Sequence, residues 1–424
     1  MGIFETLKKY KWMLPLINKA DRETKSTLLK NFRQKKKNFY PEGEYKADID
    51  NLIKCMLCPN MCRFDCGTLQ ASNTESMSPA YKARIGYYLS IGKIDPSQPE
   101  NKQFIDLMYK CTNEENCKIW CPFEFSVVSL LETVRDDLND KNLMPDYCKG
   151  QIMKLKNTGT IEDYNIFKTY EEKGIENIET DGNDEVFYYI GCEMMKFPNV
   201  VKANIEILKK AGIKLSTNLD KRVCCGAPSL TIRDMETSKN LAQENHELIN
   251  NTGAKVLVSD CPGCVLTLSE RYEKIGVKFE TKIIHIVEFF KALIEEGKLK
   301  PKGELPEDLK NVTIHDPCLM ARNLKDTNSI RTILKSIPNL EIFESIYNKE
   351  YTHCCGWSGT AHWADQGLAT KEASNRIDEL KETGVNLFIT ACPLCELGLA
   401  YGLHDNEKVK YKILDISELL LKVI

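Results

Sequence analysis

No apolar run in this chain reaches the roughly 20 residues that a membrane-spanning helix needs, so none of it is expected to cross a bilayer. The N-terminal residues lack the apolar stretch of a secretory signal, which argues against export. Charge of one sign is missing too. The net charge is -3 over 424 residues, so overall electrostatics do not mark a nucleic-acid-binding protein. Only 6 histidines are present, and no G-x-G-x-x-G follows a strand-like run. Any flavin or nicotinamide is therefore expected on a partner. What the chain has in excess is cysteine, with 18 residues. Secreted disulfide scaffolds are much shorter. In a reducing cytoplasm, the location expected here, so many thiols point to metal.

Hydrophobic residues at 42% and charged residues at 28% make a globular composition, and the length suffices for two or three domains. Residues 1–45 read as a basic arm, with eleven Lys or Arg against three acids in positions 1–40. Its apolar residues recur at helical spacing (Ile3, Phe4, Leu7, Tyr10, Trp12, Met13, Leu16, Ile17). The arm fits peripheral docking on a partner protein or an anionic surface, and equally a solvated amphipathic extension.

The cysteines fall into three groups, with Cys148 left over as a structural thiol. The first comprises Cys55, Cys58, Cys62, Cys66, Cys111, Cys117 and Cys121; the second Cys192, Cys224, Cys225, Cys261 and Cys264; the third Cys318, Cys354, Cys355, Cys392 and Cys395. The last two groups repeat one pattern: a cysteine, then Cys-Cys-Gly, then Cys-Pro-x-Cys. A duplication of this length means two similar domains, here expected over 186–300 and 308–424.

Within each repeat, apolar runs at Val186–Ile190, Val256–Ser259, Val312–Ile314 and Leu387–Thr390 read as buried strands. Glu236–Asn250, Thr370–Lys381 and Ile416–Val423 read as helices. Such alternation implies parallel α/β sheets. Cys192, Cys261, Cys318 and Cys392 each follow a strand, at the edge where open parallel sheets bind ligands. Pro262 and Pro393 stand at helix starts, a favoured place for proline. Residues 46–150 lack strand patterns. Ala80–Ser90, Gln103–Tyr109 and Ser126–Leu138 read there as helices around cysteine runs, with a polar linker over 151–185. The expected fold is α/β with an all-α N-terminal part.

Two-cluster ferredoxins use C-x2-C-x2-C-x3-C-P twice, the last cysteine of each run serving the other cluster. The run from Cys111 to Cys121-Pro122 is that pattern with Glu114 in place of the second cysteine. The run from Cys55 to Cys66 has one extra residue in its middle gap, and Gly67 where proline belongs. Crossing over, Cys55, Cys58, Cys62 and Cys121 complete one 4Fe–4S site. Cys66, Cys111 and Cys117 offer three ligands for a second, to be completed by Glu114, by another ligand, or left as a 3Fe–4S centre. Structural zinc also uses C-x2-C pairs, but seven thiolates suit two tetrahedral zincs poorly. In the paired Cys-Cys-Gly, adjacent Cα atoms about 3.8 Å apart let both thiolates reach one metal assembly. Gly226 and Gly356 let the backbone pass without a Cβ. Five thiolates exceed the needs of a cubane.

These residues resemble the heterodisulfide reductase family. The C…CCG…CxxC repeat is similar to the cysteine-rich domain of that enzyme's B-type chain. The same domain also occurs in iron–sulfur subunits of glycolate oxidase, anaerobic glycerol-3-phosphate dehydrogenase and thiol:fumarate reductase. His315-Asp316-Pro317-Cys318 through Arg322 resembles the family's HDPCxLxR stretch. The helical part resembles the ferredoxin-like C-type chain, and the order matches the D-type form, in which the two are fused. The resemblance implies a noncubane 4Fe–4S cluster on each full set of five cysteines, with a disulfide such as CoM-S-S-CoB cleaved between the two. All ten cysteines are kept, as in that branch, whereas Cys355-Gly356-Trp357-Ser358-Gly359-Thr360 resembles the CCGxxGT of the dehydrogenase branch.

Cleaving a disulfide takes two electrons. Two clusters flanking a cleft would each deliver one, with His353 and His315 as candidate proton donors or as hydrogen-bonded supports of the ligands. The expected function is an electron-transferring, catalytic oxidoreductase subunit within a complex, fed by a flavoprotein or other donor subunit. The rival is a pure relay for a flavoprotein dehydrogenase, with no substrate of its own.

Overall fold

The computed structural model describes residues 18–27, 30, 39–41, 44–161, 170, 173–219 and 223–424. Most of the basic arm and part of the expected linker lie outside the described residues.

The N-terminal part is helical, and three of its helices start where a side chain caps them. Helix α1 (Ile49–Leu57) is capped by Asp48, whose side chain accepts the Asn51 N–H. After α2 (Gly67–Ser72), α3 (Pro79–Ser90) begins at a Ser78 cap with proline in its first turn. Helix α4 (Lys102–Tyr109) leads to the second cysteine run, and α5 (Val127–Asp140) is capped by Ser126. Helix α6 (Asp146–Thr158) runs across residue 150, where the sequence suggested a boundary. It does so because it packs on helices of the first repeat rather than ending its own domain.

The first repeat comprises β1 (Val186–Tyr188), α7 (Pro198–Lys210), β2 (Leu215–Thr217), α8 (Ala227–Ile232), α9 (Met235–Asn250), β3 (Val256–Ser259), α10 (Pro262–Leu266), β4 (Lys282–His285) and α11 (Ile286–Glu295). The second comprises β5 (Asn311–Ile314), α12 (Cys318–Arg322), α13 (Ser329–Lys335), β6 (Glu341–Phe343), α14 (Ala361–Ala364), α15 (Gln366–Lys381), β7 (Leu387–Thr390), α16 (Pro393–Gly402), β8 (Lys412–Asp415) and α17 (Ile416–Leu421).

Each repeat folds a four-stranded parallel sheet in the same order, β2-β1-β3-β4 and β6-β5-β7-β8. In register, Val186 faces both Leu215 and Val256. The central strands β1, β3, β5 and β7 are the runs that read as buried from sequence. The outer strands β4, β6 and β8 escape that reading because their partly exposed residues break up any apolar run, as in Lys282-Ile-Ile-His285, and β2, though buried, is only Leu215-Ser-Thr217. In both sheets the chain reverses between the two central strands, and ligand sites of open α/β sheets form at that switch point. Part of the expected linker is an extra edge: the Thr217 N–H donates to the Ile178 carbonyl at 2.8 Å, and the Ile178 N–H to Thr217 Oγ1 at 2.9 Å.

The two sheets share a core. Helices α7 and α11 of the first repeat pack on α17 and α13 of the second, burying Val201, Ile207 and Phe290 with Ile333, Leu419 and Leu420. The other face of the first sheet is covered by the N-terminal helices, with Leu131, Val134 and Met108 in one cluster with Phe187, Leu257 and Ile232.

Arg135 pins that second contact. Fully buried, it donates through Nε and Nη2 to the Met108 carbonyl at 2.9 and 2.7 Å, and through Nη1 to the Thr231 carbonyl at 2.9 Å. Arg135→Met keeps the volume but strands those carbonyls, at an expected cost of about 2–4 kcal/mol. The denaturant midpoint of the variant measures this, and a loss under about 0.5 kcal/mol would contradict it.

Candidate functional site

The first cysteine run wraps around the end of α1. Cys55 lies in its last turn, Cys58 ends it, Cys62 sits in a 3-10 turn (Met61–Asp65), and Cys66 precedes α2. Burial and the neighbouring Cys62, Cys58 and Cys121 hold the Cys55 thiol far above its ordinary value. Burial and then Cys66, Cys58 and Cys121 push Cys62 up to about 12. Cys117 is raised by burial and then by Cys111, Cys66, Cys62 and Glu114. Cys121 thus lies with Cys55, Cys58 and Cys62, while Cys66 lies near both Cys62 and Cys117, so the seven thiols gather in one region. Thiols that repel one another as thiolates in a dry pocket ionise on binding metal, so this donor set fits metal clusters.

Glu114 is buried at the second group. Its Oε1 accepts the Gly67 N–H at 3.2 Å, and its Oε2 pairs with Arg322 Nη2 at 3.4 Å. A proline at position 67 would have no N–H to give. Gly67 also leaves room for Glu372, whose carboxylate a Cβ there would strike. Glu372, on α15, went unread in the sequence. Its Oε1 accepts from Thr112 Oγ1 at 3.3 Å, its Oε2 is buried without a partner, and Glu114, Glu372 and Cys354 bring ligand atoms within 4.8 Å of one another. Burial and then Glu114 hold the Glu372 carboxyl well above the usual carboxylate range. Gly67 in place of proline is the signal that could have found it.

The two five-cysteine sets sit where the switch points predict. Cys192 follows β1 and lies 3.9 Å from Cys224, Sγ to Sγ, while Cys261 follows β3 and caps α10. The neighbouring Cys224 and Cys264 favour the Cys225 thiolate. Gly226 takes φ 78°, and a Cβ there would meet Tyr272 Oη, which donates to the Cys225 carbonyl at 2.6 Å. In the second set Cys355 is favoured as thiolate by Cys354, Cys395 and His315. Cys261 and Cys392 lie near enough for each to shift the other's titration, which puts the two sets side by side. Asp316 braces the second set from outside: it pairs with Arg331 at 2.7 and 2.9 Å and accepts the Lys349 N–H at 2.7 Å, ahead of the Cys-Cys-Gly loop.

A cavity of about 90 Å³ opens between the repeats. Cys192, Cys225, Cys261 and Cys264 border it from one side, and Leu319, Trp357 and Leu394 from the other. His353 and His315, expected as proton donors or as supports of the ligands, do not line this cavity. His353 bonds Glu379 at 2.6 Å and stacks on Tyr347 at 4.1 Å, away from the cavity. His315 is fully buried beside Cys355 and Cys395, where burial lowers its pKa, and its Nδ1 accepts from Arg376 Nε at 3.1 Å. His362 lines the cavity instead, pushed down to about 4 by desolvation and so neutral at pH 7. Cys148 is fully buried in the N-terminal core, as a structural thiol should be.

The cysteine-rich domain named CCG matches residues 186–269 and again 312–400. The chain carries two cysteine-rich CCG domains. It is similar over most of its length to the D-type chain of dihydromethanophenazine:CoB–CoM heterodisulfide reductase from Methanosarcina barkeri, 25% identical over 397 residues, covering 89% of this chain and 94% of that protein. The B-type chain of fumarate reductase (CoM/CoB) from Methanothermobacter marburgensis is 27% identical over 379 residues, covering 88% of this chain and 72% of the relative. An EtfAB:quinone oxidoreductase from Syntrophomonas wolfei is 25% identical over 344 residues, covering 75% and 47%. The sequence-based likeness to the D-type chain of heterodisulfide reductase thus holds, as does the fold: a helical N-terminal part followed by two repeated parallel α/β units. Among the described residues no helix is long and apolar enough to cross a membrane.

The fit around Gly67 is testable by a double-mutant cycle. Gly67→Ala is expected to cost about 1–3 kcal/mol by overpacking against Glu372. In a Glu372→Ala background most of that cost should vanish, and equal costs in both backgrounds would refute the contact.

Proposed function

We propose that this chain is an iron–sulfur oxidoreductase subunit that reduces a small disulfide in the cavity between its CCG domains. The observation that carries the reading is the placement of four thiols of the first set on that cavity, at the carboxyl ends of β1 and β3. Cys55, Cys58, Cys62 and Cys121 would hold one cubane cluster, and Cys66, Cys111 and Cys117 beside Glu114 a second. Cys192, Cys224, Cys225, Cys261 and Cys264 would hold one noncubane cluster, and Cys318, Cys354, Cys355, Cys392 and Cys395 the other. Bound there, such clusters supply electrons singly and offer soft iron that accepts sulfur ligands. The overall reaction takes two electrons and two protons for each disulfide and releases two thiols. The chain's own residues exclude water with Trp357, Trp363 and Leu319 and hold a neutral imidazole, His362, in the wall. His315 and His353 act as positioning residues, His315 beside Cys355 and His353 bonded to Glu379 behind the loop.

A donor protein, flavin-bearing or otherwise redox-active, has a face to meet. Leu57, Met61, Phe64, Ile119, Trp120 and Phe123 are exposed around the first N-terminal site, Leu57 by 72% and Phe64 by 65%. Cys58 and Cys121 are themselves only partly covered there. Exposed apolar groups in such a cluster mark a docking surface.

Protein prepared without oxygen is expected to contain iron and sulfide for about four clusters and little zinc. Reduced by a low-potential dye, the full chain should cleave an asymmetric disulfide of small thiols and release both. Cys224→Ser and Cys354→Ser should each abolish cleavage while the N-terminal sites still take up electrons. Electron uptake without turnover of any disulfide in a broad panel would instead establish a relay. Stoichiometric zinc without acid-labile sulfide would sink both. Glu114→Cys is expected to raise iron by about one atom per chain, turning a 3Fe–4S signature into that of a cubane. Two intact cubanes before the change, unaltered after it, would remove Glu114 from the site.

A further inference from the structure

The duplicated sets do not meet the cavity alike. Four cysteines of the first set border it; among the described residues, none of the second set does. The difference traces to two positions that the duplication equates. Where the first repeat continues from its Cys-Cys-Gly with Ala227, the second has Trp357. Three residues beyond each Cys-Pro-x-Cys stands Thr267 in the first repeat and Gly398 in the second. A Cβ on Gly398 would lie 2.5 Å from the Cys355 carbonyl oxygen and 3.0 Å from Trp357 Cβ, so glycine is what lets α16 pack against the backbone of the Cys355-Gly356-Trp357 turn, and Trp357 packs in one buried cluster with Cys318, Cys354, Cys355, Cys392 and Cys395. Trp357 is 5% exposed and held in place by Tyr401, stacked at 4.5 Å and 6°, and by His362 at 6.0 Å. In the first repeat Ala227 has no such bulk, and it lines the cavity alongside Cys225.

We propose that Trp357 closes the second five-cysteine set to substrate, leaving the first set as the one that receives a substrate sulfur. The proposal rests on the reading of the cavity as a thiol and disulfide site. It makes the second set an inner one, next to the N-terminal part through Cys354, Glu372 and Glu114.

The test uses the full chain loaded with ⁵⁷Fe, with 2-mercaptoethanol as the thiol probe and Mössbauer spectra as the readout. In the unaltered protein, about half of the iron held by the two five-cysteine sets should shift on adding the thiol. Trp357→Ala should bring both sets into the response, roughly doubling the shifted fraction. Ala227→Trp, the reciprocal change, should abolish the response. Trp357→Phe keeps an aromatic roof and should behave like the unaltered protein, which separates roofing from a general loss of folding. A response from both sets in the unaltered protein overturns the asymmetry alone. An undiminished response in Ala227→Trp does the same. No response from any protein overturns the disulfide reading, and this inference with it.

Discussion

Ten thiols crowd the carboxyl ends of the central strands, in an interior where thiolates repel one another and water cannot screen them. Most of these thiols are held as neutral S–H by burial and by one another. Only a few, such as Cys225 and Cys355, are favoured as thiolates, because their neighbours donate to them. A polycation bound among them removes the conflict, and much of the surrounding architecture can be understood as bracing for that occupant. Asp316 with Arg331 fixes the loop ahead of one Cys-Cys pair. Asn245 Nδ2, donating to the Cys224 carbonyl at 2.9 Å, fixes the other. The Cys224 N–H reaches the Gly159 carbonyl at 2.8 Å, so the end of α6 helps set a thiol far along the chain.

Parallel topology is what allows four separated cysteines to converge. A strand end delivers its next residue to one edge, and the reversal between β1 and β3 leaves a crevice there rather than a closed layer. Each repeat uses it once. Stacking the sheets through α7, α11, α13 and α17 then brings the two edges together, so that residues of both line one cavity. Neither repeat alone would make the cavity.

The sequence made the cysteine groups, the duplication, the central strands and most N-terminal helices legible, because each is written in local spacing. Central strands are continuous apolar runs, and Pro262 and Pro393 mark helix starts without ambiguity. What stayed hidden depends on contacts between distant segments. Glu372 reads as one more charge on an amphipathic helix until α15 is packed against α2. Which of their two expected roles the histidines take depends on such contacts as well: His353 adjoins Cys354 in the chain, yet its ring turns to Glu379 and Tyr347. His362 lines the cavity from a one-turn helix that carries no motif. Three of the outer strands lack an apolar run because exposure at a sheet edge dilutes it, and buried β2 is short and two-thirds polar.

The departure of the second Cys-Cys-Gly loop from the first acquires a physical reason in this arrangement. The first repeat follows its pair with Gly226-Ala227-Pro228-Ser229, which runs straight into α8. The second runs Gly356-Trp357-Ser358-Gly359-Thr360 and must do more. Trp357 roofs its own set. Gly359, at φ 64°, lies so close to the Cys111 carbonyl that no Cβ would fit. Thr360 donates its N–H to that carbonyl at 3.2 Å and its hydroxyl to the Tyr109 carbonyl. This short stretch thus covers one thiol set and seats the loop that carries Cys111 and Cys117. Arg322, from the helix that begins at Cys318, reaches Glu114 in the same loop. The N-terminal cysteine loop is therefore held by the second repeat, while the N-terminal helices are held by the first through Arg135 and Arg233. A likeness to the CCGxxGT of dehydrogenase subunits need not signal a change of chemistry. In this chain the glycine and threonine of that stretch serve a junction, whereas the tryptophan decides which thiols face the cavity.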